Sequence, residues 1–222
     1  MNPHLDINTN LTTLVKVLEN WKNNYPHGTF NFISSWFVYG DTSLPASEES
    51  ECHPKGFYSI TKRAAEQLLI SYCETFNLKY RIIRLANVLG KTDTKVSAKK
   101  NALQFLINRM KIHEPIDLYE GGMFYRDYIH VDDVCQAIDL IIRTGQINTI
   151  YNVGLGEPIL FKDIIDYAHQ SLGSTSLVNI IEQKDFHKTV QVKSMWLKND
   201  KLKALGFKPK YNTYEKIVDQ LL

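Results

Sequence analysis

The sequence is poor in the features that mark membrane, metal-binding and nucleic-acid-binding proteins. No apolar run reaches the roughly 20 residues that a membrane-spanning helix needs. The three cysteines, Cys52, Cys73 and Cys135, are too widely spaced for a metal or redox motif. A formal net charge of +2 gives no general attraction to nucleic acid. These absences lead us to expect a cytoplasmic protein with no metal, no nucleic-acid partner and no membrane segment.

The sequence also lacks the glycine-rich turn with which many proteins bind dinucleotides. That turn has the pattern Gly-x-Gly-x-x-Gly, and it follows the first strand of a Rossmann-type fold. The one Gly-x-Gly here, Gly154-Leu155-Gly156, comes late in the chain, and no glycine precedes Gly28. Residues 1–222 by themselves therefore do not provide a standard pyrophosphate-binding turn.

Predicted strands and helices alternate along the chain. Apolar periodicity predicts strands at 29–34, 80–85 and 149–153, with further short strands near 116–129. The same criterion predicts helices at 8–24, 57–76, 99–110, 131–143, 161–172 and 212–221. Alternation of this kind is typical of a parallel sheet covered by helices, so we predict an α/β fold.

The most specific chemical signal lies at the start of the second predicted helix. Tyr58 and Lys62 are four residues apart, which places both side chains on one face of a helix. Ser34 and Ser35 end the preceding predicted strand. A neighbouring ammonium favours the ionised form of a phenol, whose free pKa is about 10. These groups form a candidate proton relay, although a chain with 12 tyrosines reaches this tyrosine–lysine spacing by chance.

Several further motifs surround the candidate relay in a set order. They are Ser34-Ser35-Trp36-Phe37-Val38-Tyr39-Gly40, Tyr58 with Lys62, Asn87-Val88-Leu89-Gly90, Arg126-Asp127-Tyr128-Ile129-His130-Val131-Asp132-Asp133 and Tyr151-Asn152-Val153-Gly154. In order and spacing they resemble the extended short-chain dehydrogenase/reductase superfamily, and within it the NAD-dependent epimerase/dehydratase family that acts on nucleotide sugars. The resemblance extends over nearly the whole chain.

The resemblance implies a fold and a truncation. Family members have already formed their first strands at the point where this sequence begins, so we expect an N-terminally truncated chain. The expected structure is the C-terminal half of a Rossmann-type doubly wound parallel sheet plus a small α/β substrate-binding domain. Residues 1–92 would form the partial Rossmann domain that carries the relay. Residues 93–222 would form mainly the substrate-binding domain, with some segments returning to the sheet.

The resemblance also assigns roles in catalysis and cofactor binding. Ser35, Tyr58 and Lys62 would be catalytic. Ser34, Tyr58 and Lys62 would contact the cofactor, which would be NAD, with NADP left open. The residues alone keep simpler alternatives, in which Ser35 is a strand-end hydroxyl that caps a loop and Tyr58 is an ordinary aromatic at a helix start.

Two residues would bind the substrate, which would be a nucleotide-diphosphate sugar. Asn87 matches a family asparagine that contacts the diphosphate, and Arg126 matches the arginine that binds the nucleotide phosphates. A planar guanidinium suits bidentate contact with phosphate. The alternative for Arg126 is an ion pair with Asp127 or Asp132. We expect Asp132 and Asp133 to cap the helix that follows them.

Trp36 and Phe37 bear on the type of reaction. Related dehydratases carry an acidic pair in these positions, because elimination of water needs a general acid and a general base. Neither side chain here transfers protons, so the sequence favours an epimerase that moves a hydride to and from bound NAD through a keto-sugar intermediate. An NAD(P)-dependent nucleotide-sugar reductase, a dehydratase and a non-catalytic dimerisation or ligand-binding module stay open as alternatives.

A homodimer is a further expectation from the resemblance. In the family, the helix that carries the tyrosine and lysine packs with the preceding helix against the same pair in a second subunit. Helices 8–24 and 57–76 would supply that surface here.

Overall fold

Three parallel strands form the central sheet of the protein. The computed structural model describes residues 2–91, 97, 101–182, 190 and 192–222. In it, β1 (Thr29–Ser35), β2 (Lys79–Leu85) and β7 (Thr149–Val153) lie in the order β1-β2-β7, with both pairings parallel. The three longest strands predicted from apolar periodicity are therefore neighbours in one sheet, which confirms the α/β fold.

Smaller two-stranded sheets lie beyond the central one. They are β3 (Asn87–Leu89) with β6 (Tyr128–His130), β4 (Ile116–Tyr119) with β9 (Val178–Ile181), and β5 (Tyr125–Arg126) with β8 (Ile159–Leu160). The first two pairs are parallel and the third is antiparallel. Because β3 pairs with β6, the segment that carries Asn87 lies beside the segment that carries Arg126.

Helices cover these sheets, and most have bounds close to those expected from the sequence. They are α1 (Pro3–Ile7), α2 (Thr13–Asn24), α3 (Gly56–Phe76), α4 (Ala102–Lys111), α5 (Val131–Thr144), α6 (Phe161–Ser171), α7 (Asp200–Ala204) and α8 (Tyr214–Asp219). The start predicted for α4, residue 99, lies outside the described residues. In the described parts of the chain, no helix is both long and apolar enough to cross a membrane.

The N-terminal helix is longer than predicted. A π-helical segment, Asn8–Thr12, joins α1 to α2, so the helix begins at Pro3 rather than at residue 8. The buried face of α2 consists of Leu14, Leu18 and Trp21, which recur at helical spacing. Val15 lies beside this face and is 40% exposed.

The central sheet has apolar packing on both faces. Ile82 packs with the helical residues Leu18 and Leu69 on one face. Its neighbour Ile83 packs with residues of α5 and α7 on the other, as expected from the alternation of side chains along a strand. A third cluster joins α4, α6 and α8 to β4. The domain boundary expected at residue 92 stays a prediction.

A buried ion pair anchors α3 on this sheet. Glu66 is fully buried and accepts hydrogen bonds from Arg84 of β2, with Nε–Oε1 3.0 Å and Nη2–Oε2 2.8 Å. Arg63 adds a third bond to Oε2 at 2.8 Å. Burial favours a raised pKa for Glu66, but the hydrogen bonds and charge of Arg84 outweigh it and hold that pKa below its ordinary value.

A row of polar side chains crosses the central sheet at the level of this ion pair. Ser34, Arg84 and Asn152 are register partners on the three strands, and all are buried. The Arg84 guanidinium lies 4.6 Å from the centre of the Tyr39 ring, and the Tyr39 hydroxyl donates to Asn152 Oδ1 at 2.6 Å. Because polar groups are costly to bury without partners, this row favours one strand register over its alternatives.

Helix α5 has a different cap from the predicted one. His130 Nδ1 accepts a hydrogen bond from the Asp132 N–H at 3.2 Å and thereby caps the helix. Asp133 is 1% exposed and instead accepts from the N–H groups of Lys210 at 2.7 Å and Tyr211 at 3.0 Å. The expectation that Asp132 and Asp133 cap α5 is therefore wrong, because Asp133 fastens the C-terminal segment.

We expect Glu66→Gln to lower the free energy of unfolding by about 3 kcal/mol, because it removes the charged partner of the buried Arg84 guanidinium. Urea denaturation at neutral pH measures the change. Glu74→Gln, at an exposed position of the same helix, is the matched control and should leave the transition midpoint unchanged. Equal midpoints for the two variants would contradict the anchoring role.

The same ion pair sets an acid dependence for this comparison. The folded-state pKa of Glu66 is lowered, so its stabilisation is present above the unfolded value of about 4.3. That stabilisation is lost as pH falls through the folded-state pKa. The stability difference between the wild type and Glu66→Gln should therefore shrink in acid.

Candidate active site

The candidate site lies where β1 ends in two serines. Ser34 is buried beside Glu66 and helps to lower the pKa of that carboxyl group, although its Oγ makes no hydrogen bond of standard length. Ser35 is half-buried, and its Oγ accepts a hydrogen bond from the Phe37 N–H at 3.4 Å. Ser35 therefore caps the short helical turn Trp36–Val38, which is the simpler role that the sequence had left open.

Gly40 allows the chain to turn back after this segment. It has a φ of 59°, and an added Cβ would overlap the carbonyl group of His53. This close approach lets the Tyr39 carbonyl accept a hydrogen bond from the His53 N–H at 2.8 Å. The loop thus returns to the end of β1 shortly before α3 begins at Gly56.

Tyr58 lies in the first turn of α3 and is 43% exposed. Burial of the phenol raises the pKa of Tyr58 above its ordinary value, and the negative charge of Asp6 adds to the rise. The nearby Ser35 hydroxyl opposes this rise. The structure therefore places the Ser35 hydroxyl near that of Tyr58, and at neutral pH it keeps the phenol protonated.

The Lys62 ammonium is directed at β1 rather than at Tyr58. Its Nζ donates to the Ile33 carbonyl at 3.0 Å and lies 4.6 Å from the centre of the Phe32 ring. Burial lowers the pKa of Lys62, while the negative charge of Glu66 opposes this change. The expected lowering of the Tyr58 pKa by Lys62 is not found, because a main-chain carbonyl holds the ammonium.

A row of aromatic rings leads away from Tyr58. The Phe37 ring meets the Tyr58 ring edge-on, with 5.9 Å between ring centres. Trp36 stacks on Phe37 at 3.9 Å. The guanidinium of Arg126 lies 5.6 Å from the centre of the Trp36 ring, at the far end of the row. The candidate catalytic and phosphate-binding residues are thus joined through direct ring contacts.

Asn87 is fixed at both ends of its side-chain amide. Its Oδ1 accepts from the Trp36 indole N–H at 3.3 Å, and its Nδ2 donates to the Asp127 carbonyl at 2.9 Å. The side chain is half-buried. An Nδ2 amide carries a second N–H that this single carbonyl does not use, so Asn87 keeps a donor for a ligand.

Arg126 is a half-buried cation held by main-chain carbonyls. Nη1 donates to the carbonyls of Tyr125 at 2.9 Å and Lys193 at 2.6 Å, and Nη2 donates to that of Val192 at 2.9 Å. These bonds leave the Nε–H and one Nη2–H of the guanidinium unused. Burial lowers the pKa of Arg126, as expected for a cation removed from water.

The ion-pair alternative for Arg126 is wrong. Asp127 is buried and accepts hydrogen bonds from the N–H groups of Leu155, Gly156 and Leu197 at 2.9, 3.1 and 3.2 Å. Asp132 lies 3.5 Å from the His130 ring. Within the described residues, the guanidinium of Arg126 therefore has no carboxylate partner, which makes it a candidate binding group for an anion.

Asp127 is the functional-site residue that sequence reasoning missed. Its carboxylate ties together the turn after β7 and the segment at Leu197, while its main chain supports Asn87. Gly154 leaves room for it, because a Cβ there would lie 2.5 Å from Asp127 Oδ2. The only available signal was the position of Asp127 next to Arg126, and that suggested an ion pair instead.

Comparison with family models identifies the chain. Residues 1–154 match the model of the NAD dependent epimerase/dehydratase family, a match that includes β1, α3 and the Arg126 segment. The chain belongs to this family. Membership in the NAD dependent epimerase/dehydratase family agrees with the resemblance drawn from the motifs.

Curated relatives in this family carry several activities. The chain is 28% identical over 182 residues to the low-salt glycan biosynthesis protein Agl12 of Haloferax volcanii, covering 81% of the chain and 56% of that protein. It is 26% identical over 219 residues to a putative UDP-glucose 4-epimerase of Methanocaldococcus jannaschii, covering 97% and 69%. It is 29% identical over 160 residues to a dTDP-D-glucose 4,6-dehydratase of Dictyostelium discoideum, covering 67% and 36%. The chain therefore spans only part of these relatives.

Solved structures in this family share the Rossmann-type fold. A Thermus thermophilus UDP-glucose 4-epimerase in complex with NAD superposes with a TM-score of 0.86 at 25% identity, covering 99% of the chain and 72% of that structure. A Thermotoga maritima UDP-glucose 4-epimerase with UDP-glucose gives 0.86 at 24% identity, covering 99% and 71%. At 24% identity, the similarity to the Thermotoga maritima structure shows the fold alone.

We expect Ser35→Ala to raise the pKa of Tyr58, because it removes the hydroxyl that lowers this pKa. Titration of carbon-13 tyrosine ring signals by NMR, with the Tyr58 signal assigned from Tyr58→Phe, measures the shift. Ser34→Ala is the matched control, since that hydroxyl lies beside Glu66 and should leave the Tyr58 pKa unchanged. A pKa that does not respond to Ser35→Ala would show that the two hydroxyls do not interact.

Proposed function

We propose that this chain carries the proton-transfer and substrate-binding residues of a cytoplasmic nucleotide-sugar epimerase. The substrate is a nucleotide-diphosphate sugar. The reaction oxidises one sugar carbon and reduces it again from the opposite face, so a keto sugar lies between substrate and product. The family includes dehydratases and reductases as well as epimerases. Trp36 and Phe37 argue against a dehydratase, because neither side chain transfers protons.

One observation carries this proposal. The aromatic row Tyr58–Phe37–Trp36 runs from the neighbouring Ser35 and Tyr58 hydroxyls to the Arg126 guanidinium, which has no carboxylate partner among the residues that the structure describes. A ligand that reaches from one end of this row to the other meets groups for proton transfer at Tyr58 and an anion-binding guanidinium at Arg126. A nucleotide-diphosphate sugar has this division, with a neutral sugar next to a charged diphosphate.

Arg126 and Asn87 are suited to the diphosphate. The unused Nε–H and Nη2–H of Arg126 supply two donors from one planar group, which matches the bidentate geometry that phosphate favours. The free Nδ2–H of Asn87 adds a neutral donor beside it. An arriving anion also compensates a half-buried charge that has no carboxylate partner in the described part of the chain.

Tyr58 and Ser35 are suited to proton transfer. Tyr58 Oη takes the proton from the sugar hydroxyl as the carbon beneath it is oxidised, and it returns the proton during reduction. Ser35 Oγ donates a hydrogen bond to the same sugar oxygen and orients it. Burial raises the pKa of Tyr58, so the phenol can act as this base only when an approaching cation favours its ionised form.

Lys62 is suited to the cofactor side of the site, whereas Ser34, which we also expected there, is buried beside Glu66. When bound, NAD supplies the acceptor for the hydride and gives it back to the sugar, and NADP has the same chemistry. The Lys62 ammonium and the Ile33 carbonyl that holds it lie at the end of β1, where a ribose would meet both. The 222 residues contain these groups but no glycine-rich turn for the pyrophosphate, so they fit only the nicotinamide end of the cofactor.

Trp36 and Phe37 disfavour dehydration. A dehydratase needs an acid and a base beyond the tyrosine, and these two positions hold stacked aromatic rings instead. A reductase would use Ser35, Tyr58 and Lys62 in the same way, so the distinction rests on whether the product is an epimer or a deoxysugar. An assay of UDP-, GDP-, CDP- and dTDP-sugars separates these outcomes by product analysis.

We expect Tyr58→Phe to lower kcat for nucleotide-sugar interconversion by at least about a hundredfold, because it removes the group that moves the proton. The assay uses the protein expressed with the adjoining sequence of its reading frame. Tyr25→Phe, at a site that is 69% exposed and away from the row, is the control and should keep full activity. Interconversion that survives Tyr58→Phe, or no interconversion of any sugar in the panel, would contradict the proposal.

The proposed assembly is a homodimer through the N-terminal helix and α3. Both helices expose apolar side chains, with Val17 of α2 at 45% and Ile60 of α3 at 49%. Apolar residues at such exposure on neighbouring helices favour burial against a second copy.

We expect light scattering to give twice the chain mass of 25.6 kDa, and Ile60→Lys to give the monomer mass, because a charge would be buried in the interface. Ile180→Lys, at a site that is 75% exposed on β9, is the control and should leave the dimer intact. A wild-type monomer at tens of micromolar would contradict the assembly.

A further inference from the structure

Trp36 makes two polar contacts that a buried packing residue does not need: a hydrogen bond to Asn87 and a ring contact with the Arg126 guanidinium. It is 3% exposed and packs in the core with Val192, Met195 and Leu197, so a phenylalanine would serve for packing. Its indole N–H, however, donates a hydrogen bond to Asn87 Oδ1 at 3.3 Å. The two residues are 51 positions apart in the sequence, so this bond links the end of β1 to the start of β3.

This bond fixes which way the Asn87 amide faces. An indole nitrogen only donates and a main-chain carbonyl only accepts. A flipped amide would set the NH₂ group against the indole N–H of Trp36 and Oδ1 against the Asp127 carbonyl, losing both hydrogen bonds. The observed orientation is therefore the one that the two neighbours allow, and it keeps the second Nδ2–H of Asn87 available to a ligand.

The same ring borders the Arg126 guanidinium. Arg126 lies 5.6 Å from the centre of Trp36 and 4.7 Å from the centre of Phe124, and three carbonyls hold its Nη atoms. Rings on which a guanidinium rests restrict its plane as well as attract its charge. The unused N–H groups of Arg126 are thus aimed before any ligand arrives.

We propose that Trp36 is a positioning residue that presets the donors of Asn87 and Arg126 for the diphosphate of a nucleotide sugar. This inference rests on the proposed function, and it adds a specificity element at a position that the reaction itself does not use. Preset donors lose less conformational freedom when the ligand binds, so Trp36 acts on affinity. Trp36 contacts no reacting atom, so the effect falls on KM and leaves kcat unchanged.

A double-mutant cycle separates this role from packing. We expect Asn87→Ala to weaken UDP binding by calorimetry about tenfold to a hundredfold, the effect of losing one hydrogen bond to a charged group. Trp36→Phe should weaken it by a smaller factor, because it leaves the Asn87 amide in place but no longer fixes it. The double variant should bind no more weakly than Asn87→Ala alone, because Trp36→Phe keeps an aromatic ring beside Arg126 and removes only the bond to Asn87. Trp21→Phe, at a buried tryptophan of α2 away from the row, is the matched control and should bind UDP as the wild type does.

The outcomes distinguish this inference from the proposed function. If the wild type binds UDP and Trp36→Phe binds it equally well, the positioning role is overturned and the proposed function stands. Additive losses in the double variant would likewise reduce Trp36 to a packing residue. If the wild type binds neither UDP nor dTDP, both the diphosphate site and the role of Trp36 are overturned.

A ligand-free measurement keeps the inference testable even if Trp36→Phe does not fold. Hydrogen exchange of the Trp36 indole N–H, followed by NMR, reports on the bond to Asn87. We expect Asn87→Ala to speed this exchange and to shift the indole resonance, while Asn179→Ala, on exposed β9, leaves both unchanged. An indole signal that ignores Asn87→Ala would overturn the proposal.

Discussion

The ion pair between Glu66 and Arg84 is the constraint on which the site depends. It joins the middle of α3 to the central strand β2 inside the core, where removing one partner leaves a buried charge. Tyr58 and Lys62 lie on the same helix, so the Glu66–Arg84 ion pair fixes the position and rotation of α3 with which both residues approach the end of β1. The polar row through Ser34 and Asn152 links that position of α3 to the strand register.

The site combines this rigid base with an extended ligand surface. At the end of β1, the Ser35 hydroxyl lies near Tyr58, and a row of aromatic rings connects this place to Arg126. Asp127 then binds the turn after β7 and the segment at Leu197 around the same place. Residues from distant parts of the chain are therefore held in position mainly by main-chain hydrogen bonds, which do not require a ligand to form.

The sequence predicts the elements of this structure better than their contacts. Strands such as 80–85 consist mainly of aliphatic and aromatic residues, so their burial in a parallel sheet follows from composition. The bond from Lys62 to the Ile33 carbonyl does not follow, because main-chain partners depend on how a helix sits on a strand. The same holds for Asp127, whose partners are N–H groups that any sequence would supply. The four-residue spacing places Tyr58 and Lys62 on one face of the helix, but it does not show which group the Lys62 ammonium binds.

A crystal structure with a bound UDP-sugar would locate both ends of the ligand at once. We expect diphosphate oxygens at hydrogen-bond distance from Arg126 and Asn87, with a sugar hydroxyl between Ser35 Oγ and Tyr58 Oη. A ligand bound elsewhere, or a diphosphate reversed so that the sugar lies at Arg126, would contradict this expectation.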